Sequence, residues 1–342
     1  MTSRTAPSHP DGIMWLSRED YERAFQQFCE LAHSSSKKSV RIARFGQVGD
    51  PGISDLDLAV IADPKSLRAI NLQFQKRRRE DPVFEYVFAH DPVFLSEFII
   101  SDAQKLHTFF GLEMEEPSGM WDQLKIGSSG DNVWLYLFWH CFNFQNALDF
   151  LNSRVSLRLG CLIHKNCLTS LAQLKKDSTM SVSDRAREVR ELALRFPKQG
   201  RLRLRKEFID LLKETALAAF DYSSEHVPSY PRAEQKYLWI RRNLFAVPTE
   251  EFREPLIRRN GIHCVPLHPS LFSAVLAFSM MDERNESTAD YIAANIRAQL
   301  FYREHRLPYP FITPFRIQST HLGQRSIRTL FNRLASKHLY KP

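Results

Sequence analysis

Arg44-Phe45-Gly46-Gln47-Val48-Gly49-Asp50-Pro51-Gly52-Ile53-Ser54-Asp55-Leu56-Asp57-Leu58-Ala59-Val60-Ile61 sets a glycine-rich turn between two apolar runs. The second run carries Asp55 and Asp57 two residues apart. Strand side chains at i and i+2 share a face. A strand here therefore turns both carboxylates one way and Leu56 and Leu58 toward the core. Two like charges that close repel, and they need a shared proton or a cation between them. A hard divalent ion such as Mg²⁺, which takes carboxylate oxygens together with substrate phosphates, meets that need. Gly46, Gly49 and Gly52 permit positive φ and close backbone approach, so amide N–H groups can turn inward on an anion. A phosphate cradle beside a metal-binding carboxylate pair is equipment for phosphoryl or nucleotidyl transfer, in which the protein mainly positions groups and neutralises charge. The structural alternative is a solvated strand face after a turn rich in Gly, Asp, Pro and Ser for backbone reasons alone.

The stretch resembles the core motif of the DNA polymerase β-type nucleotidyltransferases: an apolar residue, Gly, Ser or Gly, a short spacer, then Asp-apolar-Asp-apolar. Here the motif reads Phe45-Gly46-Gln47, seven residues, then Asp55-Leu56-Asp57-Leu58, with Ser54 before the first Asp. The resemblance covers about residues 40–100. Gln47 stands where the family usually has Ser or Gly; it can donate to a phosphate but is bulkier.

The resemblance implies an α/β (α+β) nucleotidyltransferase fold, a mixed sheet with flanking helices, and a Mg²⁺ or Mn²⁺ cofactor. It implies transfer of a nucleoside monophosphate from a nucleoside triphosphate to an acceptor hydroxyl on a small molecule, RNA or protein. Asp55 and Asp57 would ligate the metal, and Gly46, Gln47 and Ser54 would hold the β- and γ-phosphates. In the family a third carboxylate on a neighbouring strand completes the metal site and helps deprotonate the attacking hydroxyl. Asp91 is the first candidate for that catalytic and metal-ligating role, Glu85 the second and Glu97 the third. Asp91 precedes a proline and equally suits the start of a turn. His90 beside it suits phosphate binding, proton transfer or an ordinary hydrogen-bonded role. A degenerate relative that binds nucleotide or a partner without catalysis is the alternative, and Gln47 is its support.

Composition narrows the setting. A chain of 342 residues can bury a sizeable core in two domains. No apolar run reaches membrane-spanning length; Val133 to Cys141 is the best candidate and is too short. Met1 to Gly12 is polar, contains proline and lacks the apolar stretch of a signal peptide. The five cysteines are scattered, odd in number and without paired metal spacing, which favours reduced thiols in a cytoplasmic protein. A net charge of +8 suits a polyanionic partner, nucleoside triphosphate or nucleic acid. RNA is the nucleic-acid reading of the basic segments Lys76–Arg79 and Arg201–Lys206, whose ordinary role is a solvated helix surface.

Read in order, residues 1–15 form a disordered leader, 16–115 the nucleotidyltransferase domain and 131–342 a mainly helical substrate or acceptor domain. Ser17 caps a helix over about 17–33, with Tyr21, Phe25, Phe28 and Leu31 at helical spacing. Val40 to Phe45 is a strand, and the motif strand ends at Asp63-Pro64. Leu67 to Glu80 is helical. Val83 to Ile100, rich in β-branched and aromatic residues, reads as one or two strands broken at Asp91-Pro92. Glu113 to Gly130 is a boundary loop. Helices are expected over about 132–151, 155–174, 184–196, 203–222, 234–245, 269–281, 287–305 and 325–338. Pro-rich connections lie near 228–231 and 308–314. No zinc-like histidine spacing, internal repeat or acceptor motif is visible.

Overall fold

The computed structural model of the protein describes residues 13–36, 39–45, 48–106, 143–175, 182–226, 236–241, 243–258, 262–273 and 286–310. Gly46 and Gln47, the boundary loop, the first part of the helix expected from 132, the end of that expected over 269–281, and the closing helix over 325–338 lie outside these residues.

Helix α1 (Arg18–Ser35) begins at the expected hydroxyl cap. The Ser17 side chain accepts from the Asp20 N–H while Asp20 accepts from the Ser17 N–H at 2.8 Å, a reciprocal capping box. Tyr21, Ala24, Phe28 and Ala32 then fall on one buried stripe. Ordered packing starts before the cap, because Ile13 of the expected leader is buried in the core. Strand β1 (Arg41–Phe45) pairs antiparallel with β2 (Asp57–Ile61), and β2 pairs parallel with β3 (Val93–Leu95), giving the order β1-β2-β3. Leu58, Ala59, Val60 and Ile61 are all buried, so both faces of the central strand are covered beyond Asp57.

The parallel connection runs through α2 (Pro64–Glu80) and α3 (Pro82–Val87). Both start on the same device. Asp63 accepts from the Lys65 and Ser66 N–H groups, Asp81 accepts from those of Val83 and Phe84, and a proline follows each in the first turn. The strand expected from Val83 is therefore a helix up to Val87, and only Val93–Leu95 is extended. Local β propensity loses here to the Asp-Pro cap and to aromatic packing. Phe84 and Phe88 pack with each other and with Phe74, and Phe28 packs with Phe74 and Phe88, at centroid separations of 4.5 to 5.7 Å.

Beyond α4 (Ile100–Leu106) come helical α5 (143–151), α6 (Leu157–Lys175), α7 (Val182–Arg195) and α8 (Pro197–His226), the last three packed on one another. The helix expected over 234–245 is a hairpin of β4 (Leu238–Arg241) and β5 (Leu244–Pro248), joined where Asn243 takes φ +61°. Asn tolerates that left-handed conformation, and the aromatic and β-branched residues on either side suit strands. β6 (His263–Leu267) joins β5 in parallel, so this second sheet repeats the antiparallel-then-parallel order of the first.

After a short helical turn α9 (269–273), α10 (Glu286–Glu304) returns to the first sheet. Its Arg297 makes a two-pronged ion pair with the buried Asp102 of α4, and the Tyr302 hydroxyl donates to the Phe94 carbonyl of β3. One contiguous apolar core runs from Ile13 through the sheet and α6–α8 to Leu307. The architecture is α+β, and no helix among the described residues is long and apolar enough to cross a membrane.

Gly52 is the glycine of this packing whose backbone is left-handed. It sits at φ +89°, and an added Cβ would lie 2.6 Å from the Met14 carbonyl oxygen. Gly52→Ala is expected to cost about 1–3 kcal/mol through left-handed strain and that backbone clash, measured as a lower denaturation midpoint with an unchanged denaturant slope.

Candidate metal centre

The site is built on the turn before β2. Ile53 and Ser54 donate their N–H groups to the Asp50 carbonyl, and the Asp50 N–H donates to the Ser54 hydroxyl at 3.1 Å. Four buried or half-buried side chains from four helices hold this turn. From α1, the Tyr21 hydroxyl donates to the Ser54 carbonyl at 2.6 Å and accepts from the Gly52 N–H at 3.1 Å. Burial pushes Tyr21 up to about 12, which keeps the hydroxyl protonated and able to donate. From α3, Tyr86 donates to the Gly52 carbonyl at 2.6 Å. From α7, Arg190 pairs with the Asp50 carboxylate at 2.6 Å. From α6, Arg158 donates to the carbonyls of Ile53 at 2.9 Å, Ser54 at 2.8 Å and Tyr86 at 2.5 Å. The Arg158 guanidinium also lies 3.9 Å from the centroid of the Tyr86 ring.

Past this anchored turn, Asp55 and Asp57 point to one side while Leu56 and Leu58 are buried. Asp55, Asp57 and His90 each present one ligand atom, and the three atoms lie within 4.8 Å of one another. Asp55 is well enclosed and lies 2.6 Å from His90 Nε2; the His90 side chain is 61% exposed, at the rim. Asp57 accepts no hydrogen bond from the described residues, yet Lys165 of α6 is close enough for its charge to act on it.

The two carboxyls are driven apart electrostatically. Burial pushes Asp55 up, but the hydrogen bond and charge of His90, together with Arg158, outweigh it and hold Asp55 below the ordinary carboxylate value. Burial pushes Asp57 up to about 7, and the neighbouring Asp55 charge adds to the rise. The hydrogen bond to Asp55 raises His90 in turn. The arrangement is an enclosed, net-anionic pair with an imidazole at its mouth, and it fits a divalent cation: two carboxylate oxygens and a ring nitrogen converge, and one carboxylate has no hydrogen-bond donor of its own.

The other residues singled out in the sequence are placed elsewhere. Continuing the β2–β3 register, in which Ala59 faces Val93, would bring Asp91 opposite Asp57. The ladder stops at Val93, however, after a proline that has no N–H to give. The Asp91 carboxylate instead accepts from Gln75 Nε2 at 2.7 Å and Arg78 Nη1 at 2.9 Å, both on α2. The structure thus brings His90, and not Asp91, to the aspartate pair. Glu85 on α3 and Glu97 after β3 are exposed and outside the cluster. Ser54 is 5% exposed, its hydroxyl engaged by the Asp50 N–H. Gly46 and Gln47 lie outside the described residues, and a Cβ at Gly49 would meet nothing within 4 Å.

The basic segments are largely satisfied within the protein. Arg77 pairs with Asp81, Arg78 with Asp91, and Arg203 with Glu207, while Arg205 donates to Ser153 and Arg201 lies over the Phe150 ring. The residues that sequence reasoning missed are Arg158 and Lys165. Their seven-residue spacing puts them on one face of the helix expected over 155–174, and that was the available signal. Comparison with protein-family models, with curated proteins and with solved structures returns no match for this chain.

Two outcomes follow from this geometry. A carboxyl whose folded value is raised contributes stability that is complete below its unfolded value, ordinarily 3.8, and that is lost as pH rises through about 7. Asp57→Asn is therefore expected to be more thermostable than the parent at pH 8, with the difference shrinking to nothing near pH 4; melting curves across that range check it, and a pH-independent difference contradicts it. Arg158→Lys is expected to lower unfolding free energy by about 2–4 kcal/mol, because the three carbonyls are spread around three nitrogens of a planar fork and one compact ammonium nitrogen cannot reach them all. Denaturant titration measures the loss.

Proposed function

We propose that the protein is a divalent-metal-dependent nucleotidyltransferase. The observation that carries this reading is the convergence of Asp55, Asp57 and His90 at the start of the central strand, just past a tightly anchored glycine turn. The mixed sheet with its hairpin and parallel third strand suits the reading, and so does the motif resemblance. Asp55 and Asp57 would hold the metal, which would neutralise phosphate charge and supply Lewis-acid polarisation of the phosphoryl group. Lys165 offers a cation beside Asp57 for the triphosphate, and Gly46 and Gln47 remain its candidate backbone and side-chain donors on the strength of the motif. The acceptor hydroxyl oxygen bonds to the α-phosphorus, the bond from that phosphorus to the bridging oxygen breaks, and pyrophosphate leaves. Asp57, free of other hydrogen bonds among the described residues, takes the hydroxyl proton.

One observation favours a second reading, a nucleotide-binding module without turnover. Asp91, the carboxylate that the family pattern would supply, is held by Gln75 and Arg78 instead. Incubation with each α-³²P-labelled nucleoside triphosphate and Mg²⁺ or Mn²⁺, with total RNA, aminoglycosides or a cell extract as acceptors, separates the two. Label transfer by the parent protein, abolished in a folded Asp55→Ala/Asp57→Ala variant, is the expected result. Metal-dependent nucleotide binding without transfer supports the binding module, and neither binding nor transfer overturns both.

A further inference from the structure

We infer that His90 is a ligand of the metal at this site and makes the site select manganese and the later first-row divalent ions over magnesium. The inference rests on the metal-centre part of the functional reading above, and it deepens that reading by naming the ion class.

Three observations carry it. First, the His90 ring nitrogen, not a third carboxylate oxygen, shares the 4.8 Å cluster with Asp55 and Asp57. Second, the nearest acidic alternative on the same segment is engaged, since Asp91 is tied to α2 through Gln75 and Arg78. An all-oxygen set of three carboxylates would require breaking that charge-assisted pair and leaving Arg78 without it. Third, Asp55 is 12% exposed and His90 61% exposed, so the imidazole stands at the mouth through which an ion enters and can turn from Asp55 toward it without disturbing the core.

The chemistry of the donor set then decides the ion. Mg²⁺ demands hard oxygen ligands in near-ideal octahedral geometry and surrenders water reluctantly. Imidazole nitrogen suits Fe²⁺, Ni²⁺, Cu²⁺ and Zn²⁺, and affinity of a mixed nitrogen and oxygen site rises through the first-row ions from Mn²⁺, the weakest-bound of them and the one that also accepts a mainly oxygen set. Three protein ligands leave positions open for phosphate oxygens and water, so the same set suits a substrate-bearing ion rather than a closed structural one.

The test uses the full chain freed of metal, with Mn²⁺ and Mg²⁺ titrated separately by calorimetry and Mn²⁺ followed by electron paramagnetic resonance. Mn²⁺ is expected to bind more tightly than Mg²⁺, with electron spin-echo modulation from a directly bound imidazole nitrogen. His90→Ala should lose that modulation and weaken Mn²⁺ by at least the roughly 10- to 100-fold that loss of a ligand's outer-shell partner already produces, while leaving Mg²⁺ nearly unchanged. His90→Asp should shift the preference toward Mg²⁺. Both variants remove the partner of the enclosed Asp55 carboxylate, so each is first shown by its melting curve to be folded at the temperature of the titration. Equal affinity for the two ions, lost in Asp55→Asn/Asp57→Asn but unmoved by His90→Ala, would overturn the inference while leaving the metal-centre reading standing. No binding of either ion to the parent protein would overturn both.

Discussion

One buried guanidinium holds the site together. Arg158 is 8% exposed, and such a charge is tolerable in a protein interior only when its N–H groups find acceptors. Here the acceptors are the carbonyls of Ile53, Ser54 and Tyr86 rather than a carboxylate, so the positive charge is solvated but not cancelled. That residual field falls on Asp55 and helps to hold it ionised against the cost of burial. A single side chain therefore fixes the path of the turn and part of the charge state of the residue that follows it. Tyr21, Tyr86 and the Arg190–Asp50 pair complete the clamp, and each belongs to a different helix.

This explains why the helices after residue 143 are not an appendage to the motif sheet. α6 and α7 contribute the clamp, α6 also carries Lys165 toward Asp57, and α10 closes on β3 and α4 through Tyr302 and Arg297. The apolar core is continuous through all of them. A site whose loop is anchored from both parts of the chain is pre-organised: the two carboxylates are held close although their mutual repulsion would separate them, and their ionisation is split, one lowered and one raised.

The net charge of +8 looks different once the partners are known. Arg77, Arg78, Arg203 and Arg205, which the sequence offers as a polyanion surface, spend their hydrogen bonds on Asp81, Asp91, Glu207 and Ser153. The cations that bear on the candidate site are Arg158 and Lys165, from a helix whose sequence is mostly apolar.

The sequence by itself determined what depends on neighbours along the chain. The Ser17 cap, the hairpin of the motif strands, the shared face of Asp55 and Asp57 and the run of helices from 157 to 226 were all legible, because capping, alternation and 3.6-residue periodicity act over a few residues. The same local logic, had the Asp81-Pro82 pair been weighed as a cap, would have revealed α3. Only the tertiary structure decided which third group joins the aspartates. Asp91 and His90 are adjacent in sequence, and their fates are set by other elements: Arg78 on α2 draws one carboxylate away, and the enclosed Asp55 carboxylate holds the imidazole at 2.6 Å. Electrostatic pairing acts through space between segments about a hundred residues apart, as with Arg158 and Ser54, and no periodicity in the sequence records which charges will meet.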